Sequence, residues 1–312
     1  MKKIASCFVS AWMALFVCAI ARAGSLDLAP AVETGSSFSL DGQQFAKAVM
    51  KEKMHEGSRM EAKASVGSGF WVSLYAGYDF ANLGALGTDA KNLLDYAKAI
   101  GDTSTIGVGG SGILAGGAVG YALDSSNSLS LSLENTWTSQ SGVNITTGGG
   151  AGAFERFDPS LLGIALNYRL VVLRGKNSKT ALTLGTGYYH GSVHYENDIG
   201  AGPSTFMGDF GQDGIGGTLG VSEELDLGGS LALGLSARFR VADFNKLTSK
   251  SVNVNGTDQT SGGPFALASD KIDYPFTVII PVPTSVTLPS GVSYTDLDYT
   301  GFNGNVSLTL FL

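Results

Sequence analysis

The chain ends on Tyr299-Thr300-Gly301-Phe302-Asn303-Gly304-Asn305-Val306-Ser307-Leu308-Thr309-Leu310-Phe311-Leu312. In this stretch Phe302, Val306, Leu308, Leu310 and Leu312 share one parity, and Asn303, Asn305, Ser307 and Thr309 share the other. Successive side chains of a strand point to opposite faces, so the stretch reads as a strand with one apolar face and one polar face. Such a strand fits a soluble sheet, or the wall of a barrel that meets lipid outside and water inside. The rest of the chain has to decide between them.

The other end supplies the compartment. Met1-Lys2-Lys3, an apolar run from Ile4 to Ile20, and Ala21-Arg22-Ala23 before Gly24 form the basic, apolar and small-residue segments of a secretory signal peptide, residues 1–23. Cys7 and Cys18 both lie inside it, so the processed chain offers neither a disulfide nor a thiolate metal site. Without Lys2, Lys3 and Arg22, 17 basic residues stand against 27 acidic ones, a net charge of about −10, which argues against a nucleic-acid partner. Past the signal no apolar run approaches the ~20 residues of a membrane helix. The 44 glycines are about double ordinary usage and follow no collagen triplet. Residues 24–68 carry Lys47, Lys51, Glu52, Lys53, Glu56, Arg59, Glu61 and Lys63 among small residues and are expected to form an N-terminal periplasmic extension.

From residue 69 onward the same alternation recurs seven times before the terminal strand. Its apolar parities are Phe70 to Phe80, Ile113 to Leu123, Leu129 to Leu133, Leu162 to Leu170, Leu182 to Tyr188, Ile215 to Val221 and Leu231 to Val241. The links between these runs alternate long and short. The short ones are turn-rich: Asp124-Ser125-Ser126-Asn127, Arg174-Gly175-Lys176-Asn177-Ser178 and Asp226-Leu227-Gly228-Gly229. Within the first long link Asp89 to Ile100 reads as a short helix. Membrane barrels sort their connections in this way and keep a uniformly apolar outer face, whereas a secreted β-sandwich has no reason to. The fold class expected is therefore an all-β, antiparallel up-and-down transmembrane β-barrel over 69–312, with eight strands and four long external loops. A ten-stranded ring is the alternative, using a hairpin in which Val286-Thr287-Leu288 and Val292-Ser293-Tyr294 flank Pro289-Ser290-Gly291.

The signal, the eight runs and the apolar C-terminal strand together resemble the small outer-membrane β-barrel family, of which the transmembrane domain of outer membrane protein A is typical. The resemblance rests on pattern and covers Gly69 to Leu312. It implies an outer-membrane location, outer-membrane lipid and the barrel-assembly machinery as partners, and a terminal strand, Val306, Leu308, Leu310, Phe311 and Leu312, read during assembly. Family members often end in Phe; this chain ends Phe311-Leu312.

Inward parities carry Asp79, Glu134, Arg169, Glu224, Arg238 and Arg240. Buried charges have to be paired, so these residues are expected to form a network that fills the lumen. Lining an open pore is the other reading. Inward glycines such as Gly116, Gly163 and Gly216 leave room either for Tyr75 and Tyr189 or for a wet passage. Phe70, Tyr121 and Tyr168 near one end, with Tyr78, Trp137, Tyr188, Phe239 and Phe302 near the other, suit the aromatic girdles of the two membrane interfaces.

His190 and His194 share parity at the start of the third external loop, with Glu196, Asp198, Asp209 and Asp213 nearby. A divalent metal is geometrically possible there, yet two loop histidines are more often solvated, and neither metal nor cofactor is expected. A histidine-activated hydrolase would have to use this pair, and along the sequence no Ser or Asp stands in a recognisable arrangement with it. The expectation is a non-enzymatic, monomeric surface protein, structural or adhesive, that meets an extracellular protein or surface ligand through its external loops. The alternative is a small-solute porin with a charged lumen.

Overall fold

The computed structural model describes residues 69–99, 104–107, 110–139, 141–146, 152–198, 205–250, 252–259, 263–270 and 278–312. The expected signal peptide and N-terminal periplasmic extension, residues 1–68, lie outside them. Eight strands build the wall: β1 (Phe70–Asn82), β2 (Ser111–Ala122), β3 (Asn127–Thr138), β4 (Gly152–Arg174), β5 (Ser178–Asp198), β6 (Thr205–Gly228), β7 (Leu231–Val241) and β8 (Thr300–Phe311). Each pairs antiparallel with its chain neighbour, and β8 pairs with both β7 and β1, so the hydrogen-bonding returns to its start as a ring. An edgeless sheet leaves no row of unpaired backbone groups.

The short links are built for reversal. The Asp124 carboxylate accepts the backbone N–H groups of Ser126 (2.6 Å) and Asn127 (2.9 Å), closing the β2–β3 turn. Gly228 and Gly229 adopt φ of 97° and 65° in the β6–β7 turn, a region that a side chain makes costly. At the closing seam the Leu312 N–H donates to the Phe70 carbonyl at 2.9 Å, so Phe311 does not shift the register. Phe311 faces inward opposite Trp71, and Leu312 is exposed. Phe311 therefore does not share the outward face of Val306, Leu308, Leu310 and Leu312.

The wall is not of even height. Strands β4, β5 and β6 run 23, 21 and 24 residues, while the other five have 11 to 13. The three long strands rise well past the ends of their apolar runs, and further elements gather on the rising part. On one side Ser141–Thr146 pairs with β4 and in turn with Ser104–Gly107. On the other, Thr248–Ser249 and Asn253–Val254 pair with β6, and Phe265–Asp270 carries Val278–Pro283 and Val292–Tyr294. Val292–Tyr294 thus pairs with Phe265–Asp270 and not with 286–288, and it adds nothing to the ring, which stays at eight. Tyr274 to Thr277 lie outside the described residues.

Helix α1 (Gly84–Ala99) starts earlier than Asp89 because Asp296 caps it: the Ala85 N–H donates to Asp296 Oδ1 at 2.7 Å and the Leu86 N–H to the Asp296 carbonyl at 3.2 Å. These pieces enclose a hydrophobic core above the ring. It is made of Leu83, Leu86, Phe157, Leu161, Tyr189, Val193, Tyr195, Phe210, Phe244, Leu247, Leu267, Leu297 and Tyr299 with smaller neighbours. The described parts of the long links therefore fold into one cap.

Candidate functional site

Along β4, β5 and β6 the polarity of the two faces exchanges at one level. Below it Leu162, Ile164, Leu166 and Tyr168 of β4, Leu182, Leu184 and Tyr188 of β5, and Ile215 and Leu219 of β6 are exposed outward, while Asn167 and Thr218 are buried inside. Above it the inward side chains include Phe157, Leu161, Val193, Tyr195 and Phe210, all buried, with Glu155 and Asn197 hydrogen-bonded to the Tyr195 hydroxyl among them, and the outward ones include Arg156, Asp158, Ser160, His190, Ser192, His194, Glu196, Asp209 and Asp213. The strands keep their parity throughout; only the residue types change. From Leu162 to Val172 the outward apolar run of β4 rises roughly 33 Å along the strand, which at the ~40° tilt of such barrels is roughly 25 Å, the height of a membrane barrel's apolar band. The remaining strands complete that belt, and its edges hold exposed aromatics: Phe70, Tyr121 and Tyr168 at the short-turn end, and Tyr78, Trp137, Tyr188 and Phe302 at the other, with Phe239 half-buried against Phe302 at a 5.0 Å ring separation.

Inside the belt the charges sort into two clusters. Arg240 lies between Asp79 (2.9 Å) and Glu134 (3.3 Å), its Nε–H donating to the Tyr299 carbonyl, and Arg238 pairs with Glu134 at 3.0 Å and donates to Asn303. Asp79, Glu134 and Arg240 are 1–2% exposed. Two carboxylates against two guanidiniums make the cluster neutral, which is the condition for burying it. Glu134 thus belongs to the same cluster as Asp79, Arg238 and Arg240. Near the short-turn end Arg169 and Glu224 pair at 2.8 Å, with Lys179 at 3.6 Å from the same carboxylate and 5.4 Å above the Phe311 ring. Lys179 follows the Arg174–Ser178 turn and is not among the inward charges read from the sequence; it shares the inward parity of Thr183 and Tyr189.

The inward glycines are seats for large neighbours. A Cβ on Gly116 would lie 2.7 Å from the Tyr75 ring, one on Gly163 or Gly216 would meet Tyr189 at 2.5 or 2.8 Å, and one on Gly120 would meet Trp71 at 2.2 Å. Tyr75 lies against Arg238 and Tyr299 against Arg240, at 5.2 and 5.6 Å from the guanidinium carbons. Above this layer comes the apolar cap core. Below it remains a cavity of about 130 Å³ lined by Ser73, Ser132, Asn167, Ser236, Asn305 and Arg238 among others. The lumen is thus stoppered at its outer half and hollow in the other.

A second arrangement stands on the outside, just above the belt. His190 and Asp213 are directly opposed across β5 and β6, with His190 Nδ1 2.8 Å from the carboxylate; His194 and Asp209 repeat the pairing at 2.7 Å. Hydrogen bonds from His190 and then Tyr188 hold the Asp213 carboxyl below its ordinary value. Ser192 lies between the two histidines on the same face, and its hydroxyl is 2.7 Å from that of Ser160 on β4. The expectation that no Asp stands in a recognisable arrangement with these histidines is corrected here: each is paired with an Asp across the strand. Asp213 is 23 residues from His190 in sequence, and only the β5–β6 register brings them together. No group of three or more His, Cys, Asp or Glu side chains suited to a metal occurs among the described residues.

No family model matches this chain, and no curated protein matches it. Solved structures do show likeness. The outer membrane protein OprG of Pseudomonas aeruginosa is similar over 79% of this chain and 97% of its own, at 11% identity and a TM-score of 0.39. The outer membrane protease OmpT of Escherichia coli follows over 78% and 94%, at 7% identity and 0.27, and a FadL homologue of Pseudomonas aeruginosa over 77% and 89%, at 10% and 0.24. Each is a likeness of overall form.

Proposed function

We propose that this chain is an outer-membrane barrel that does not conduct solutes and that works at the cell exterior through its folded cap and the polar face around it. The observation that carries this reading is the exchange of polarity along β4–β6. An apolar belt roughly 25 Å tall has no use in water, and a polar-coated cap with an apolar interior has no use in lipid. Stoppering by Arg240, Glu134 and Asp79 beneath the packed core argues against the porin alternative, because conduction requires a continuous wet path. The cap then offers the surface on which an extracellular protein or surface ligand would be met, in keeping with the tendency of rigid scaffolds to carry function on their loops.

Purified protein in a planar bilayer should give no steady conductance, and it should enter the outer-membrane fraction and show a heat-dependent gel shift. Steady conductance that weakens when Arg238 or Arg240 is neutralised would establish the porin instead. Solubility without detergent would remove the membrane reading altogether.

A further inference from the structure

We infer that the outward face just above the belt is a hydrolytic site in which Ser192 is the nucleophile, His190 its base and Asp213 the group that positions His190, acting on an acyl ester of an outer-leaflet lipid. The substrate class rests on the membrane reading above; the chemistry rests on the geometry alone.

His190 is held through Nδ1 by Asp213 at 2.8 Å, so the imidazole's second nitrogen is left for a reacting group. That nitrogen has a defined place. A Cβ built on Gly211 would lie 3.0 Å from His190 Nε2 and 2.9 Å from Cε1, and Gly211 is the residue directly opposite Ser192. Opposed β-carbons sit about 4.5–5.5 Å apart, so the free edge of the imidazole leans over the row that holds Ser192. A glycine is what admits it there. In the structure the Ser192 hydroxyl bonds Ser160 at 2.7 Å. The proposed chemistry requires the Ser192 hydroxyl to leave Ser160 for another staggered χ1, on the side of Gly211 and His190, and this leaves the Ser160 hydroxyl to donate to a developing oxyanion. Base–orienter and nucleophile–base pairs of this kind define acyl-transfer sites on unrelated folds.

The position selects the substrate. Leu162 is opposed to His190 and Ile215 to Tyr188, so the site begins where the exposed apolar belt ends. His190 and Asp213 are about half exposed in the isolated chain, at 47% and 56%. A lipid whose chains lie on Leu162 and Ile215 would bring its ester carbonyl to this row and exclude water from it. Ser192 Oγ then adds to the carbonyl carbon while His190 Nε2 takes its proton. The carbon–oxygen bond to the alcohol breaks, and that alcohol leaves with the proton from His190. Water, deprotonated by His190, next releases the acyl group from Ser192 as a carboxylic acid, and the proton returns to Ser192.

The test uses the full chain folded in detergent, with a long-chain p-nitrophenyl ester and phospholipid vesicles as substrates and a fluorophosphonate as a covalent probe of the serine. Wild type should turn over both substrates and take the label. Ser192→Ala and His190→Asn should lose about 10³-fold or more of turnover and lose labelling while keeping the heat-dependent gel shift. Asp213→Asn should lower kcat and labelling rate together by about 10²-fold or more with KM unchanged, a split that mere loosening of the strand would not give. A folded wild type that neither hydrolyses nor labels, or turnover unchanged in Ser192→Ala, overturns the proposal. The membrane reading fails separately, by detergent-free solubility.

Discussion

The lower and upper halves of β4, β5 and β6 are the same three strands in the same register, yet they are dressed in opposite ways. In the lower half Leu166 and Leu184 face outward and Asn167 faces inward; in the upper half His194 and Asp209 face outward and Val193 and Phe210 face inward. Parity says which side a residue takes and is blind to what lies there. The solvent beyond the wall decides which residue types are stable on it: lipid outside and a charge network inside below, water outside and a packed core inside above.

The comparison can be broken at four places. Arg240→Met leaves Asp79 buried without its cation and should cost about 3–5 kcal/mol, read as a lowered midpoint of the heat-dependent gel shift, with Asp79→Asn in the same chain restoring much of it. In the upper half Phe244→Ala empties the centre of the cap core and should cost about 3–5 kcal/mol. Because the ring strands pair without it, the loss should appear as protease cleavage in the cap with the gel shift kept.

The third test places one substitution in each half. Leu166→Arg puts a cation on the lipid face near mid-belt and should cost about 2–4 kcal/mol, while His194→Arg, also outward on the neighbouring strand, should stay within about 0.5 kcal/mol. Equal effects on the urea midpoint would remove the assignment of the two levels to lipid and water.

The smallest effect is electrostatic. Burial, with Asp298 and Asp296 nearby, pushes the Asp243 carboxyl above its ordinary value in the cap. A carboxyl raised in the folded state binds its proton more tightly there than when unfolded, so the cap should gain stability as pH falls from neutral through the folded value and lose it as pH rises. Asp243→Asn should flatten that slope and slightly protect the cap from protease at neutral pH.

Much of the ring was legible because its signal is local. Alternation in Phe70 to Phe80 or Leu231 to Val241 needs only neighbouring residues, and the turn chemistry of Asp124 and Gly228-Gly229 is equally local. The inward parity of Asp79, Glu134, Arg169, Glu224, Arg238 and Arg240 was legible for the same reason. Their partners were not: Arg240 meets Asp79 161 residues away. The upper parts of β4 to β6 are less legible because the outward apolar residues stop there, and Phe157, Val193, Tyr195 and Phe210 continue the alternation with its polarity reversed. The signal present in the sequence is the reversed phase of Ser192-Val193-His194-Tyr195-Glu196.

By itself the sequence determined the class of fold and which side chains share a face within the eight apolar runs, since strand geometry ties both to a period of two; that the ring closes at eight strands rather than ten was decided by the pairing of Val292–Tyr294 with Phe265–Asp270. Tertiary structure decided that the long links form one cap, that the lumen is stoppered by paired charges, and that Ser160, Ser192, His190 and Asp213 share one outward row. Those outcomes depend on the register between strands and on contacts across the ring, and neither is written in the spacing of residues along a single strand.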